Sequence, residues 1–377
     1  MGEESRATMS TPLPHFHAVI PAGGVGSRLW PLSRADHPKF LHDLSGNGDT
    51  LLRNTWNRLS PLTGPEQIVV VTGISHAPAV RSQLPELDSS RLVTEPSPKE
   101  SAAAIGLAAA IIELADPDAI VGSFAADHVI SDDAAFHQAV TEAYYAATDD
   151  WLVTIGIRPS EASSAFGYIH AASPQEVEGA PSAKLVDAFV EKPDYATAQQ
   201  YVASGDYLWN AGMFIAKASV LLGRMQAEKP ELVAALRDIA QAWTTDQRDR
   251  VMDAVWPGLE KIAIDYAVAE PTAAAGGMVV IPGDFGWDDV GDFAALARMH
   301  SKGPADLAIL GDNTSVLSDS ATGIVISQST RLVTVVGLED VVVVDTPDAL
   351  LVTSKEHAQR VKALVDMLNQ QDRGGVL

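Results

Sequence analysis

The 377-residue sequence has no cysteine, which removes disulfides, thiolate metal sites and a cysteine nucleophile from consideration. It is also short of basic residues: 26 Lys and Arg stand against 49 Asp and Glu, a formal net charge of −23. A field of that sign repels polyanions. It argues against nonspecific nucleic-acid binding and against attachment to an anionic membrane, and it requires any anionic ligand to be captured in a local cationic pocket. No stretch approaches the run of about 18 apolar residues that a membrane span needs, and residues 1–15 have no apolar core of a secretory signal. A cytoplasmic location and a flexible N-terminal tail over residues 1–15 are the expectations.

The most informative stretch begins with the apolar run His17-Ala18-Val19-Ile20-Pro21-Ala22 and passes into Gly23-Gly24-Val25-Gly26-Ser27-Arg28-Leu29-Trp30-Pro31-Leu32-Ser33-Arg34, then Pro38-Lys39-Phe40-Leu41. A strand that enters a glycine-rich loop whose fixed charges are cationic is suited to a polyphosphate. Spacing excludes two common loops: Leu29 stands where a dinucleotide fingerprint has its third glycine, and no Gly-Lys-Ser/Thr follows. Arg28 offers a planar fork for phosphate and Lys39 a mobile point charge. The plain alternative is a tight strand-to-helix turn with basic residues on its surface.

Strand and helix patterns alternate after this loop. Helices are expected over 50–59, 75–84, 101–115 and 132–147, and strands over 67–72, 91–94 and 119–125. That order implies an α/β, Rossmann-like, mostly parallel sheet whose ligands bind beyond the carboxyl ends of the strands. The loop after Ala22 and the turn at Ala126-Asp127-His128 then share one rim. Shorter strands over 151–157, 167–171 and 184–190 suit a partly antiparallel sugar-binding half, followed by helices over 194–203, 218–227 and 231–243. A Lys-Gly-Pro break near residue 302 separates a catalytic domain, 16–300, from a small β-rich domain, 301–377. There, strands over 315–317, 323–326, 332–336, 341–345 and 350–353 precede a helix over 355–368, as in a packed platform or a short left-handed β-helix.

Several carboxylates fall where ligands would be bound. Asp127 follows a buried strand, and Asp289 lies in Gly286-Trp287-Asp288-Asp289-Val290-Gly291. Two such acids meeting at a triphosphate would suit Mg²⁺, although each alone also reads as a helix cap or turn residue. Asp288 and Asp292 are the better cap candidates. Phe189-Val190-Glu191-Lys192-Pro193 places an acid and a base at a strand end, fit for sugar hydroxyls and a sugar phosphate, or for a surface ion pair. Asn210-Ala211-Gly212-Met213-Phe214 offers an amide beside small residues, or a left-handed turn at the Asn. Asp265, in Ile264-Asp265-Tyr266, is a further acid or a first-turn helix carboxylate.

Taken together, these segments resemble the sugar-phosphate nucleotidylyltransferases, and within them the mannose-1-phosphate guanylyltransferase branch. The resemblance extends to Val335-Val336-Gly337-Leu338-Glu339-Asp340 and the segment that follows to Leu351. It implies that Arg28, Lys39 and Lys192 are catalytic, and that Ala22, Gly23, Gly24, Gly26, Ser27, Glu95 and Asp127 bind the nucleotide. It further implies that Gly156, Gly167, Glu191, Lys192, Asn210 and Asp265 bind the sugar phosphate, while Asp127 and Asp289 hold Mg²⁺. The implied reaction joins GTP and mannose 1-phosphate to give GDP-mannose and pyrophosphate. Uridylyl or thymidylyl transfer to glucose 1-phosphate, or a noncatalytic GDP-mannose sensor, are the alternatives. Three places depart from the family pattern: Lys39 runs directly into Phe40, Glu100 replaces a smaller polar residue after Glu95-Pro96, and Ser164-Ala165-Phe166-Gly167-Tyr168 replaces a Thr-Gly-Tyr-Gly-Tyr string. Strand edges in the C-terminal part make a homo-oligomer, most simply a dimer, a further expectation.

Overall fold

Residues 12–303, 305–311, 313–371 and 374–377 are described in the computed structural model of the chain. The expected tail lies outside the described residues up to residue 11. Of its remainder, the Leu13 amide donates to the Leu62 carbonyl at 2.8 Å and His15 pairs with Asp116.

Nine strands make one sheet: β1 (Phe16–Ala22), β2 (Ile68–Gly73), β3 (Leu92–Glu95), β4 (Ile120–Ser123), β5 (Leu152–Ile157), β6 (Tyr168–Pro174), β7 (Lys184–Val190), β8 (Tyr207–Lys217) and β9 (Met278–Gly283). Their order is β3-β2-β1-β4-β8-β5-β9-β7-β6. The first four are parallel, as the alternating pattern implies. Beyond β4 the sheet is mixed: β8 runs antiparallel to both β4 and β5, while β5 and β9 are parallel. Along β1, Phe16, Ala18, Ile20 and Ala22 face one apolar layer and Val19 faces the other, the period-two signature of a strand buried on both sides. Helix Glu100–Ala115 is buried along most of its length, and its alanines let the neighbouring helices approach closely; a Cβ on Gly106 would come within 2.8 Å of Leu236.

Strand β8 lies at the centre of the sheet and β9 in its interior, although their sequences do not announce them. In β8 the small and polar Asn210-Ala211-Gly212 interrupt the apolar run, because this is where the strand leaves β6 and passes between β4 and β5. Asn210 itself is in the strand, and the positive φ of 67° belongs to Gly212. In β9 the apolar run is bounded by Gly276-Gly277 and Pro282-Gly283, which mimics a turn.

The C-terminal part contains β10 (Leu307–Gly311), β11 (Val316–Asp319), β12 (Gly323–Ser327), β13 (Val333–Val336), β14 (Val341–Asp345) and β15 (Leu350–Ser354). β10, β12 and β14 stack in parallel, with Leu307, Gly323 and Val341 in one column, and antiparallel β15 completes the face. β11 and β13 pair in parallel as a second face, and Val316, Val325, Val335, Val341 and Val343 pack together. The closing helix begins as a 3₁₀ turn, Lys355–Arg360, before Val361–Gln370. Ile324, Ile326, Val342, Val344 and Leu351 share a core with Leu29, Leu32, Val290 and Phe293 of the larger domain. Among the described residues no helix is long and apolar enough to cross a membrane.

Candidate active site

β1 and β4 are parallel neighbours, so the segments that follow them leave the sheet on the same rim. Ala22 closes β1, its carbonyl accepting from Thr72 Oγ1 at 2.7 Å. Gly23 and Gly24 are exposed beyond it. Gly26 has a φ of 68°, and a Cβ there would come within 2.9 Å of Lys39 Cβ; both facts require glycine. Ser27, Arg28 and Leu29 form a 3₁₀ turn that buries Leu29 and leaves the Arg28 guanidinium within 3.5 Å of the Gly291 carbonyl.

Two backbone hydrogen bonds between Val129 and Asp288, at 2.9 and 3.0 Å, tie the segment after β4 to the Trp287–Gly291 loop. This bridge is what brings Asp127 and Asp289, far apart in sequence, to one place. Lys39 lies between them: its Nζ is 2.8 Å from Asp127 Oδ2 and donates to the Asp289 carbonyl. Burial opposes the charge on Asp127, but Lys39, His128 and a backbone hydrogen bond together outweigh it and the carboxyl titrates below its ordinary value. Burial raises Asp289, reinforced by Asp288 and Asp127 and opposed by Lys39. Burial also drives His128 down to about 4, which leaves its imidazole neutral near pH 7. Val290, a β-branched residue, is held at a φ of 47°, so this loop stores backbone strain beside the acids. The two other acids of the loop have separate tasks. Asp292 caps helix Phe293–His300 through the Ala295 amide, whereas Asp288 holds the Val290 amide and Arg298.

A cavity of about 390 Å³ opens beside this cluster, lined by Pro21, Gly23, Gly24, Val71, Glu95, Lys99, Ser101 and Asp127 among others. Ala22, Gly26 and Ser27 do not line it; they shape the loop above. Glu95, the last residue of β3, has a buried Oε1 without a hydrogen-bond partner, and burial pushes its carboxyl up to about 7. Lys99 is not a free cation, since its Nζ donates to the Pro257 and Leu259 carbonyls.

The second group lies where β6, β7 and β8 meet. Asn210 Nδ2 donates to Asp265 Oδ1 at 2.9 Å, and its Oδ1 accepts from the Gly212 amide and Thr154 Oγ1. Asp265 opens a π-helical turn, a local irregularity common at functional sites. Burial and then the charge of Glu191 raise it to about 6. Glu191 Oε1 pairs with Lys192 at 2.5 Å, while Oε2 is buried and unpaired. Lys192 has a φ of 50°; burial lowers its pKa, but Glu191 and Asp265 overcome this and raise it. Gly167 sits against this group, because a Cβ there would overlap Glu191 Oε2 and come within 3.3 Å of Asn210 Cβ. Gly156 pairs with Asn210 across the sheet, and Leu208 and Val280 fill the space over it, so its surroundings are those of a packing glycine.

Aromatic rings join the two groups, a feature that sequence reading did not reveal. His128 meets Trp287 edge-on at 5.4 Å, Trp287 meets Phe166 at 5.4 Å, and Phe166 meets Trp209 at 4.8 Å. The Nε1 atoms of both tryptophans are buried and unpaired, as is His128 Nδ1. Buried polar atoms are normally satisfied, so three unpaired ones along this line of rings set it apart from an ordinary core. The Gly-Trp string was the one visible signal for this set.

Residues 17–305 match the nucleotidyl transferase family model, and residues 313–368 match the mannose-P isomerase/GMP-like beta-helix domain. The chain is 37% identical over 361 residues to the xanthan biosynthesis protein XanB of Xanthomonas campestris pv. campestris strain B100, covering 94% of this chain and 73% of that protein. It is 36% identical to a mannose-1-phosphate guanylyltransferase of Salmonella muenchen over 94% of this chain and 74% of the relative. A solved structure from Thermus thermophilus, described as a mannose-1-phosphate geranyltransferase, superposes with a TM-score of 0.82 at 32% identity, covering 94% of this chain and 99% of that one. Since the family model extends from β1 past helix Phe293–His300, and the likeness to XanB covers nearly the whole chain, the protein belongs to the nucleotidyl transferase family.

Proposed function

We propose that the protein is a mannose-1-phosphate guanylyltransferase, transferring GMP from GTP to mannose 1-phosphate with release of pyrophosphate. The observation that carries the choice of base is Glu95. Guanine presents two adjacent donors, N1–H and the 2-amino group, which one carboxylate can accept together, whereas uracil and thymine present a single N–H between two carbonyls. A buried carboxylate with an unpaired oxygen on the wall of a cavity that also holds Gly23, Gly24 and Asp127 suits guanine and penalises the pyrimidines. The choice of sugar is supported by the names of similar proteins from Salmonella muenchen and Escherichia coli K12, both mannose-1-phosphate guanylyltransferases.

A phosphate oxygen of mannose 1-phosphate attacks the α-phosphorus of GTP; that P–O bond forms as the bond to the β-phosphate oxygen breaks, and pyrophosphate leaves with the electron pair. The nucleophile is anionic at neutral pH, so no general base and no covalent enzyme intermediate is needed. The task is to bring two polyanions together and hold them in line. Arg28, Lys39 and the amides of the glycine loop bear on the triphosphate. Lys192 bears on the sugar phosphate, and Glu191, Asn210 and Asp265 bear on the sugar hydroxyls.

Asp127 and Asp289 fit Mg²⁺: both offer hard oxygen donors, and two half-buried acids whose charges act on each other favour a cation in addition to Lys39. When bound, the ion would neutralise phosphate charge in the transition state. Pyrophosphate release measured with GTP, UTP, dTTP and ATP, each against mannose 1-phosphate and glucose 1-phosphate, tests the assignment. Fastest turnover with GTP and mannose 1-phosphate is expected; fastest turnover with a pyrimidine nucleotide and glucose 1-phosphate overturns it.

A further inference from the structure

The continuation of the glycine loop is gripped by the C-terminal coil. Arg34 sends a forked pair of bonds to Asp348, NH1 to Oδ2 at 3.1 Å and NH2 to Oδ1 at 2.7 Å, and NH2 also reaches Thr346 Oγ1 at 3.4 Å. Its Nε donates back to the Pro31 carbonyl at 2.7 Å, so one side chain ties the Trp30–Ser33 turn to the β14–β15 turn. That turn is rigid in its own right. Thr346 Oγ1 accepts from the Ala349 amide and bonds Asp348, and Arg331 anchors Asp345 at 2.7 Å. Trp30 Nε1 donates to the Val376 carbonyl at 2.6 Å, a second contact between the loop and the C-terminal part. Leu29, adjacent to Arg28, is buried in the core it shares with β12, β14 and β15.

We propose that Arg34 and Asp348 form a positioning pair through which the C-terminal coil sets the conformation of the nucleotide loop and so the affinity for nucleoside triphosphate. Neither side chain touches substrate; they act through the Pro31 carbonyl and the turn that carries Arg28. The proposal rests on the reading of this loop as the nucleotide site. Forked recognition also makes Arg specific at this position, because a lysine carries the charge without the two parallel bonds or the Nε bond to Pro31.

The test uses the full chain and four variants: Asp348→Asn, Arg34→Lys, Thr346→Val and the exchange Arg34→Asp with Asp348→Arg. GTP affinity is measured directly by calorimetry, alongside KM for mannose 1-phosphate and the melting temperature. Asp348→Asn and Arg34→Lys should each weaken GTP binding about 5- to 20-fold, the size of a typical coupling between sites, while KM for mannose 1-phosphate changes by less than about twofold. Thr346→Val should show a smaller effect of the same kind, and the exchange, which restores the charge pair but not the bond to the Pro31 carbonyl, should bind GTP no better than Arg34→Lys. Unchanged GTP affinity in Asp348→Asn and Arg34→Lys, even with a lowered melting temperature, overturns the proposal and leaves the nucleotide reading standing. Failure of the unaltered chain to bind GTP overturns both.

Discussion

The Lys39 ammonium lies 2.8 Å from Asp127 Oδ2 and donates to the Asp289 carbonyl, so one cation holds both acidic segments of the candidate site. Lys39→Met removes that charge while keeping most of the apolar stem. Turnover is expected to fall about 10²- to 10³-fold, the loss typical of removing a preorganised electrostatic contact. The folded pKa of Asp127 is depressed, so its ionisation adds stability above the ordinary carboxyl range, and that stability is lost as pH falls through the depressed value. Without Lys39, burial acts unopposed by it, and the acid-side loss of melting temperature should begin at higher pH. A melting profile against pH for both proteins checks this; superimposable profiles would show that Lys39 does not govern Asp127.

Asp289 behaves in the opposite sense. Its pKa is raised by burial and by neighbouring acids, so above that value the unfolded chain ionises more readily than the folded one and the carboxylate costs stability. Asp289→Asn should therefore leave the melting temperature at pH 7 unchanged or higher, while turnover falls about 10³-fold. A variant that is both stable and active would remove Asp289 from the chemistry.

On the proposed function, Glu95 would link base choice to pH. Its carboxyl is raised to about 7 by burial, and accepting two guanine donors requires the ionised form. KM for GTP should thus rise as pH falls below about 7 in the unaltered protein, approaching tenfold per pH unit, the limit for a single titrating group. Glu95→Gln should abolish that slope and raise KM for GTP about 10- to 100-fold, corresponding to the ~1–3 kcal/mol cost of a mismatched buried polar contact. Initial rates between pH 6 and 8 suffice to decide; a slope that persists in Glu95→Gln assigns the titration to another group.

These contacts differ in how far the sequence betrays them. The rim bearing Gly23, Gly24 and Asp127 is legible because β1 and β4 are continuous apolar runs, and parallel neighbours end on the same side. Glu95 falls just past the expected strand over 91–94 and enters the site only through the family resemblance, whereas it is the last residue of β3. Asn210 is ambiguous in sequence, since an amide beside glycine reads equally well as a turn, and only pairing with β5 and β6 fixes it in a strand. Strand β9 is masked by the glycines and proline around it, although it joins β5 to β7. Apart from the Gly286-Trp287 string, the line from His128 through Trp287 and Phe166 to Trp209 has no local signature, because each ring comes from a different element and packing alone brings them together. The same holds for Arg34 and Asp348, which are separated by most of the chain.

On the proposed function, Gly167 would set affinity for one substrate through its backbone. A Cβ there overlaps Glu191 Oε2 and lies within 3.3 Å of Asn210 Cβ, so Gly167→Ala must displace the Glu191 carboxylate from its buried place. Glu191 can move because its Oε1 is held by Lys192, whose side chain is more than half exposed. The damage should therefore be confined to the sugar side: KM for mannose 1-phosphate rises about tenfold, as expected when a charged hydrogen bond is lost, and KM for GTP is unchanged. Overpacking of this kind costs about 1–3 kcal/mol when the surroundings cannot yield, and a small fall in melting temperature would show that they do. Steady-state kinetics with each substrate varied in turn separate the two sides; an equal rise in both KM values would mean that Gly167 shapes the whole cleft and not the sugar pocket alone.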